Sequence, residues 1–385
     1  MTKNFLLLLL LCASSALHAA NYLTFTAEAD SSTFGIMIQE NYYRSEADST
    51  STDTLRKINT PDVQYSLDGG KSWVALQSDT LIPLKRKGDK ALLRGHNPQG
   101  ISRGDSSFTR FVMTGRIAAS GSVMSLIDGK GESLVIPGEK CFRNLFEECR
   151  SLTQAPQLPA TKLEKGCYRA MFSWCTNLTR APQLPATQLA DGCYELMFIG
   201  CTSLAQAPQL PAITLDTSCY SLMFSRCTSL TQAPELPATK LALDCYGAMF
   251  FGCTSLKRAP KLPATELAEG CYQFMFKECT SLRQAPALPA TTLTAYCYSS
   301  MFEGCTSLTQ APELPATTLE MGCYTTMFKG CSNLAEINVG LIAWDSGTFF
   351  WLIDVAPKGK FICPKELPKE FGVDKIPEGW TTADN

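Results

Sequence analysis

The most constraining feature of the sequence is a unit of 26 residues that returns eight times without an insertion. Each copy reads approximately CYxxMFxxCTSLTxAPxLPATxLxxG. The first cysteines run from Cys141 to Cys323 and the second from Cys149 to Cys331. A period this regular predicts units that stack one on the next, so that equivalent residues form columns and each unit contacts only its neighbours.

The segment between the two cysteines of a copy predicts a helix. At about 100° per residue, the cysteines, Tyr, Met and Phe of CYxxMFxxC fall within one arc of about 140°, which is typical of a buried helix face. The following APxLP run predicts a strand of only two or three residues around Gln206–Ala207, because proline removes a ladder hydrogen bond. The predicted fold class is therefore an α/β solenoid of eight 26-residue repeats.

The sixteen repeat cysteines predict buried free thiols. Neighbouring helices pack about 8–10 Å apart, whereas a disulfide needs Cα atoms within about 7 Å. Disulfides stay open as an alternative, because a secreted protein meets an oxidising compartment. A zinc site is disfavoured, because evenly spaced cysteines do not supply four converging sulfurs.

The amino terminus predicts secretion. A lysine, an apolar run from Phe5 to Leu11 and small residues up to Ala20 are typical of a signal peptide over residues 1–20. Lipidation at Cys12 is an alternative reading. We expect a secreted, periplasmic or cell-surface protein, and no later apolar run is long enough to predict a transmembrane segment.

Charge and histidine content exclude several functions. The chain has 34 basic and 36 acidic residues, which argues against nucleic acid as a partner. Only His96 remains after the signal peptide, so triad and multi-histidine zinc chemistry are disfavoured. We expect no cofactor and no metal.

The repeat resembles a known family. The frame FEGCTSL at Phe302–Leu308, followed by an extended stretch ending in proline, is similar to the BspA-type leucine-rich repeats of surface and secreted proteins from Bacteroides-like bacteria. The chain departs from the common frame in having Met-Phe and Ala-Pro-x-Leu-Pro. The resemblance implies a right-handed β-α superhelix and adhesion or protein binding at the cell surface, without catalysis.

The flanks predict two further units. Residues 21–135 contain β-rich segments such as YLTFTAE and STFGIMIQ and predict a small all-β domain. The repeats then occupy residues 136–335, and residues 336–385 predict a cap with a short helix at Thr348–Val355 and a strand in KFICP. Asp68, in a pattern resembling the Asp box of sialidases, is interpreted as a structural hairpin residue. Arg103, Gly104 and Asp105 form an integrin-type tripeptide, for which an ordinary glycine turn is the alternative.

A binding function is predicted for the strand side of the repeats. Strands about 4.8 Å apart opposite helices about 9 Å apart would curve the stack, with variable residues along the inner face. The candidate ligand-binding residues on that face are Arg180, Lys257, Arg258, Lys261 and Arg283. We expect a protein or glycan of a host or neighbouring cell as the partner. A structural protein of the cell envelope is the first alternative and a glycan-acting enzyme the second, although no carboxylate pair recurs in the repeats.

Overall fold

The computed structural model describes residues 21–40, 61–102 and 107–385. The predicted signal peptide at 1–20, the alternative lipidation site Cys12 and the tripeptide Arg103–Asp105 lie outside these residues and stay predictions.

Short strands dominate the regular structure of the described residues. In chain order they are β1 Leu23–Ala27, β2 Ser32–Glu40, β3 Gln64–Ser66, β4 Val74–Ala75, β5 Ile82–Leu84, β6 Lys90–Arg94, β7 Ser107–Thr114, β8 Ile117–Ser120, β9 Leu152–Gln154, β10 Glu336–Asn338, β11 Lys360–Cys363 and β12 Thr381–Asp384. The only helical elements in the described part of the chain are a single α-turn, α1 Ser125–Asp128, and a 3₁₀ turn at Ser346–Thr348.

The predicted fold class is wrong. None of the CYxxMFxxC segments is a helix, so the chain is not an α/β solenoid and does not have the β-α superhelix of leucine-rich repeats. The predicted helix at Thr348–Val355 is also absent, and only its first residue belongs to the 3₁₀ turn. The argument for curvature fails as well, because it depended on helices about 9 Å apart on one side.

Each CYxxMFxxC segment is instead a row of consecutive tight turns that hydrogen-bonds to the next row. Within one copy, alternate N–H groups close turns, as when Met171 donates to the Tyr168 carbonyl at 3.1 Å. The N–H groups between them cross to the following copy, as when Tyr168 donates to Cys193 at 3.0 Å and Phe172 to Met197 at 3.0 Å. About half of the backbone N–H groups of a row therefore donate to carbonyls of a neighbouring copy. In an α-helix the same N–H groups would donate to carbonyls four residues earlier in their own segment.

The turn rows require a left-handed residue at every fourth position. In one copy these are Gly166 (φ 57°), Ala170 (φ 53°) and Trp174 (φ 58°). Glycine adopts this conformation without steric cost, and glycine precedes the first or the second cysteine in several copies, as at Gly200 and Gly252. The non-glycine residues at these positions are held there by the row-to-row hydrogen bonds.

Equivalent side chains stack in columns, which confirms the stacking predicted from the period. The ring centroids of Tyr194 and Tyr220 lie 5.9 Å apart, and those of Phe198 and Phe224 lie 5.6 Å apart. Two thiol columns run beside them. We call Cys141, Cys167, Cys193, Cys219, Cys245, Cys271, Cys297 and Cys323 the first-cysteine column, and Cys149, Cys175, Cys201, Cys227, Cys253, Cys279, Cys305 and Cys331 the second-cysteine column.

The amino-terminal strands form two sheets that join the repeats. One sheet has the order β4-β3-β6-β1-β8-β9, and the other has the order β5-β2-β7. Strand β8 pairs in parallel with β9 of the first copy, where Ile117 faces Leu152. Phe25 and Phe111 pack against Phe146 of the first turn row, so the apolar core continues from the sheets into the repeats.

The carboxyl-terminal residues continue the stack with a different period. Strands β10, β11 and β12 pair in parallel in that order, and Glu336 faces Lys360. Strand β11 agrees with the strand predicted in KFICP. The buried Trp351 ring stacks on Tyr324 at 6.0 Å and covers the last tyrosine of the column. The apolar face of the final repeat is therefore not left open to water.

Candidate ligand-binding face

The APxLP segments line up as one exposed face of the stack. Single parallel β-bridges join Gln206 to Gln232, Gln232 to Arg258 and Arg258 to Gln284. The predicted strands of two or three residues are thus reduced mostly to one bridging residue per copy. Three residues are reached in this position only by β9 in the first copy and by β10 directly after the last one, within the described part of the chain. The first proline of the motif is buried in most copies, whereas the residue before the leucine is exposed. This alternation anchors the segment and presents its variable side chains to solvent.

Four candidate cations lie on adjacent copies of this face. Lys257, Arg258 and Lys261 belong to one copy and Arg283 to the next, and all four are exposed. The bridge between Arg258 and Gln284 places the preceding residues, Lys257 and Arg283, beside each other in neighbouring rows. Rows joined by parallel bridges lie about 4.8 Å apart. The structure therefore brings together the four residues that the sequence proposed.

The cluster is not neutralised by the protein. Among the described residues, no carboxylate lies within ion-pair distance of any of the four, although Glu235 belongs to the preceding copy. By contrast, the exposed Lys240 pairs with Glu266 in the adjacent copy at 3.2 Å. The four cations thus form a local excess of positive charge on a face whose other polar residues are mostly Gln and Thr.

Shallow grooves run between copies on the same face. One has a volume of about 400 Å³ between the copies of Gln206 and Gln232, and is lined by Pro208, Pro211 and Glu235. A second, of about 410 Å³, is lined by Arg283 and its neighbours in the following copy. The cationic cluster follows the first groove along the stack and extends into the second, which Arg283 lines.

The fifth candidate, Arg180, lies apart from the other four. It lines a groove of about 460 Å³ near the start of the stack. Its guanidinium donates to the Gln154 side-chain oxygen at 3.4 Å. Arg180 is separated from Arg258 by the rows of Gln206 and Gln232, so the structure does not bring it into the cluster.

Glutamine side chains are the groove-lining residues that the sequence reasoning did not single out. Gln154, Gln206, Gln232, Gln284 and Gln310 occupy the same position of the period, and each lines a groove. An amide can donate and accept hydrogen bonds. The signal that could have found them is the recurrence of an exposed amide at one repeat position.

All sixteen repeat cysteines are buried, and those from Cys149 to Cys331 form no disulfide, as predicted. From Cys175 onward, each thiol of the second-cysteine column donates a hydrogen bond to the phenylalanine carbonyl of the preceding copy, as Cys227 does to Phe198 at 3.1 Å. Cys149, in the first copy, donates instead to the Phe111 carbonyl of β7. Burial raises the pKa of Cys253 to about 12. No group of three or more His, Cys, Asp or Glu residues in the described ranges could hold a metal ion.

The Asp68 motif is a structural hairpin, as predicted. The Asp68 carboxylate accepts hydrogen bonds from the Ser72 hydroxyl at 2.6 Å, the Ser72 N–H at 3.0 Å and the Ser66 hydroxyl at 2.7 Å. These bonds, led by the Ser72 hydroxyl, lower the pKa of Asp68 well below its ordinary range. The indole of Trp73 donates to the Gly70 carbonyl and packs under the Arg94 guanidinium.

No helix within the described residues is long and apolar enough to cross a membrane. Comparisons with family models, curated proteins and solved structures return no match for this chain. The fold and the face described above are therefore the basis for a functional assignment.

Proposed function

We propose that this protein is a non-catalytic binding protein of the cell surface or the secreted fraction, and that it binds an anionic protein surface or an anionic glycan through the APxLP face. Lys257, Arg258, Lys261 and Arg283 contact the anionic groups of the ligand. The observation that carries the proposal is four exposed, unpaired cations on two adjacent copies. The BspA-type resemblance supports the same class of function.

The face favours binding over hydrolysis. Glycoside hydrolysis needs two carboxyl groups on either side of the scissile bond. The three described grooves have Glu235 as their single carboxylate. Rigid backbone supports the face, because each row is hydrogen-bonded to its neighbours on the opposite side of the copy. Such a surface orders few groups on binding, which limits the entropy cost of association.

The test measures binding of a sulfated polysaccharide, dextran sulfate, with uncharged dextran as the reference. The variant K257A/R258A/K261A/R283A removes the cluster. The matched control K85A/R86A/K87A/K90A removes the same number of exposed charges from the amino-terminal sheets. We expect the cluster variant to lose between about fourfold and several hundredfold in affinity at low salt, because four exposed ion contacts of roughly 0.2–1 kcal/mol each sum to about 0.8–4 kcal/mol.

Affinity should also fall steeply with ionic strength in the wild type and less in the cluster variant. Equal losses in the two variants would mean that only net charge matters and would contradict the proposed site. Equal binding by the cluster variant and the wild type would contradict it as well. An acidic protein, used as a second probe, separates a protein partner from a glycan partner.

A further inference from the structure

The grooves on the APxLP face are parts of one lengthwise groove. From the second to the seventh copy, the residue after the bridging residue is an alanine that packs against the core and stays partly exposed. Alanine has no atom beyond Cβ, so the column of these residues forms a floor between longer side chains. The three grooves along the stack are each lined by alanines of this column. We call it the alanine groove, with the floor residues Ala181, Ala207, Ala233, Ala259, Ala285 and Ala311.

The two walls of the alanine groove differ in chemistry. Along each APxLP run the bridging residue precedes the alanine and an exposed proline follows it, so the two lie on opposite sides of the floor. The groove between the copies of Gln206 and Gln232 is lined by both amides and by Pro211 and Pro237. One wall therefore donates and accepts hydrogen bonds, and the other offers apolar ring surface. A sugar matches this pair of walls, because its hydroxyl groups form hydrogen bonds and its C–H face packs on apolar surface.

The hydrogen bonds of the bridging side chains define the length of the site. Near the start of the stack, the Gln154 side-chain oxygen accepts from Arg180 at 3.4 Å. Near its end, the Gln310 amide donates to Glu336 at 2.7 Å. The four rows between these pairs have bridging side chains that form no hydrogen bond with another described residue, so these groups are open to a ligand. They are Gln206, Gln232, Arg258 and Gln284.

The spacing of the four rows favours a glycan over a peptide. Rows joined by parallel bridges lie about 4.8 Å apart, so the four rows span about 14 Å. An extended peptide presents side chains on one face only every 6.8 Å or about that distance, and falls out of step with the rows. An extended chain of pyranose rings advances by close to one row per ring. Each sugar can therefore place a hydroxyl group beside one bridging side chain.

The charges along the groove limit where the ligand carries its anionic groups. Glu235 lines the groove in the row of Gln232, whereas Lys261 holds the same position of the period in the row of Arg258. A carboxylate or sulfate of the ligand is therefore attracted over Arg258 and repelled beside Glu235. A glycan with neutral sugars between its charged ones meets both conditions.

We infer that the alanine groove binds a linear glycan lengthwise, with four consecutive sugars over the rows from Gln206 to Gln284. A charged sugar lies over Arg258, and a neutral sugar lies over Gln232. The bridging side chains form hydrogen bonds with the sugars, and the prolines pack against the ring faces. This inference rests on the proposed function, because the same cations hold the anionic groups, and it adds the class, the direction and the length of the ligand.

The test measures binding of hyaluronan oligosaccharides, in which carboxylate-bearing and neutral sugars alternate, to the full chain by calorimetry. We expect the tetrasaccharide to bind at least about fivefold more tightly than the disaccharide, because each of the two added rows contributes a hydrogen bond. The octasaccharide should gain less over the tetrasaccharide than the tetrasaccharide gains over the disaccharide, because the bridging side chains beyond the four rows already have partners. An equal gain from every added disaccharide would overturn the length of the site.

Two matched double variants test the position of the glycan. Gln206→Ala with Gln232→Ala removes two amides from the four rows and should lower tetrasaccharide affinity by at least about fivefold. The loss for the disaccharide should be smaller, because it covers only two of the rows. Gln157→Ala with Gln183→Ala removes two exposed amides from the same face outside these rows and should leave both affinities unchanged. Equal losses in the two double variants would contradict the assigned position.

The outcomes separate this inference from the proposed function. Suppose that the cluster variant loses dextran sulfate binding, but the oligosaccharides do not bind or bind without dependence on length or on Gln206 and Gln232. The lengthwise site is then refuted and the proposed function stands. If dextran sulfate binding does not depend on the cluster, both are refuted. Binding of poly-L-glutamate but not of the tetrasaccharide, with the same dependence on the two amides, would assign the groove to a peptide and refute the glycan.

Discussion

Substitution of Phe250 by alanine tests whether the copies are stabilised by stacked interior columns. The Phe250 ring is completely buried and lies between the rings of Phe224 at 5.8 Å and Phe276 at 5.6 Å. Removal of a buried phenylalanine ring costs about 3–5 kcal/mol, part of it lost transfer free energy and part the cavity that remains.

The structure favours the upper half of that range. The cavity could shrink only if the rows above and below moved together. Both are held by backbone hydrogen bonds, because Phe224 donates to Met249 and Phe250 donates to Met275, each at 2.9 Å. The neighbouring rings therefore stay apart and the cavity stays open. Since each copy contacts only its neighbours, the loss should also loosen the adjacent copies.

The assay is urea unfolding followed by circular dichroism, with hydrogen exchange at the Phe224 and Phe250 amides. We expect a lower unfolding midpoint and faster exchange at these amides. The control is Phe371→Ala, which removes a ring that is 45% exposed and should change stability by no more than about 0.5 kcal/mol. An unchanged midpoint for Phe250→Ala, or equal effects of the two substitutions, would refute the stacked interior.

Two further predictions concern ionisable groups. Burial raises the pKa of Cys253 from 9.0 to about 12. Below pH 9 the thiol is protonated in both the folded and the unfolded chain. Above pH 9 the unfolded chain releases the thiol proton, whereas the folded chain retains it. Thermal stability should therefore fall between pH 9 and about 12, by up to about 1.4 kcal/mol per pH unit for each such thiol, and a flat profile of melting temperature against alkaline pH would contradict this. Burial opposes ionisation of Asp128, but its hydrogen bonds from the N–H groups of Lys130, Gly131, Ser133 and Glu132 outweigh it and lower its pKa. Its stabilisation is present above the ordinary carboxyl pKa and is lost as pH falls through the lower folded pKa, so Asp128→Ala should lower the melting temperature at neutral pH and less in strong acid. A destabilisation that does not depend on pH would contradict that reasoning.

The candidate site shows how much of a binding face can be predicted from a period. Because the copies have identical lengths, Lys257 and Arg283 had to occupy neighbouring rows whatever the local backbone was. The sequence could not predict the grooves between copies, because their volume depends on how closely the rows approach. It also could not show that Arg258 lacks a carboxylate partner, since Glu235 lies only one copy away.

The amino-terminal sheets were predicted more closely. The segments YLTFTAE and STFGIMIQ correspond to β1 and β2, and Asp68 accepts the hydrogen bonds of a tight hairpin. These features are local, since they depend on alternation of apolar residues and on short-range side-chain hydrogen bonds. The pairing of β8 with β9 was not predicted, because it joins residues of the sheets to residues of the first repeat.

The sequence alone determined that residues stack in columns and which residues are buried in them. In CYxxMFxxC the buried positions are the first, second, fifth, sixth and ninth, so burial repeats every four residues. Over a segment of only nine residues, this repeat cannot be distinguished from the 3.6-residue repeat of an α-helix. Only the tertiary structure decided between the two. A turn row leaves every second N–H free to reach the next copy, as from Ala170 to Glu195 at 2.8 Å, and these bonds draw the copies together. Isolated from its neighbours, a row would lose those partners to water, so the choice of turns over helix belongs to the stack and not to the single repeat.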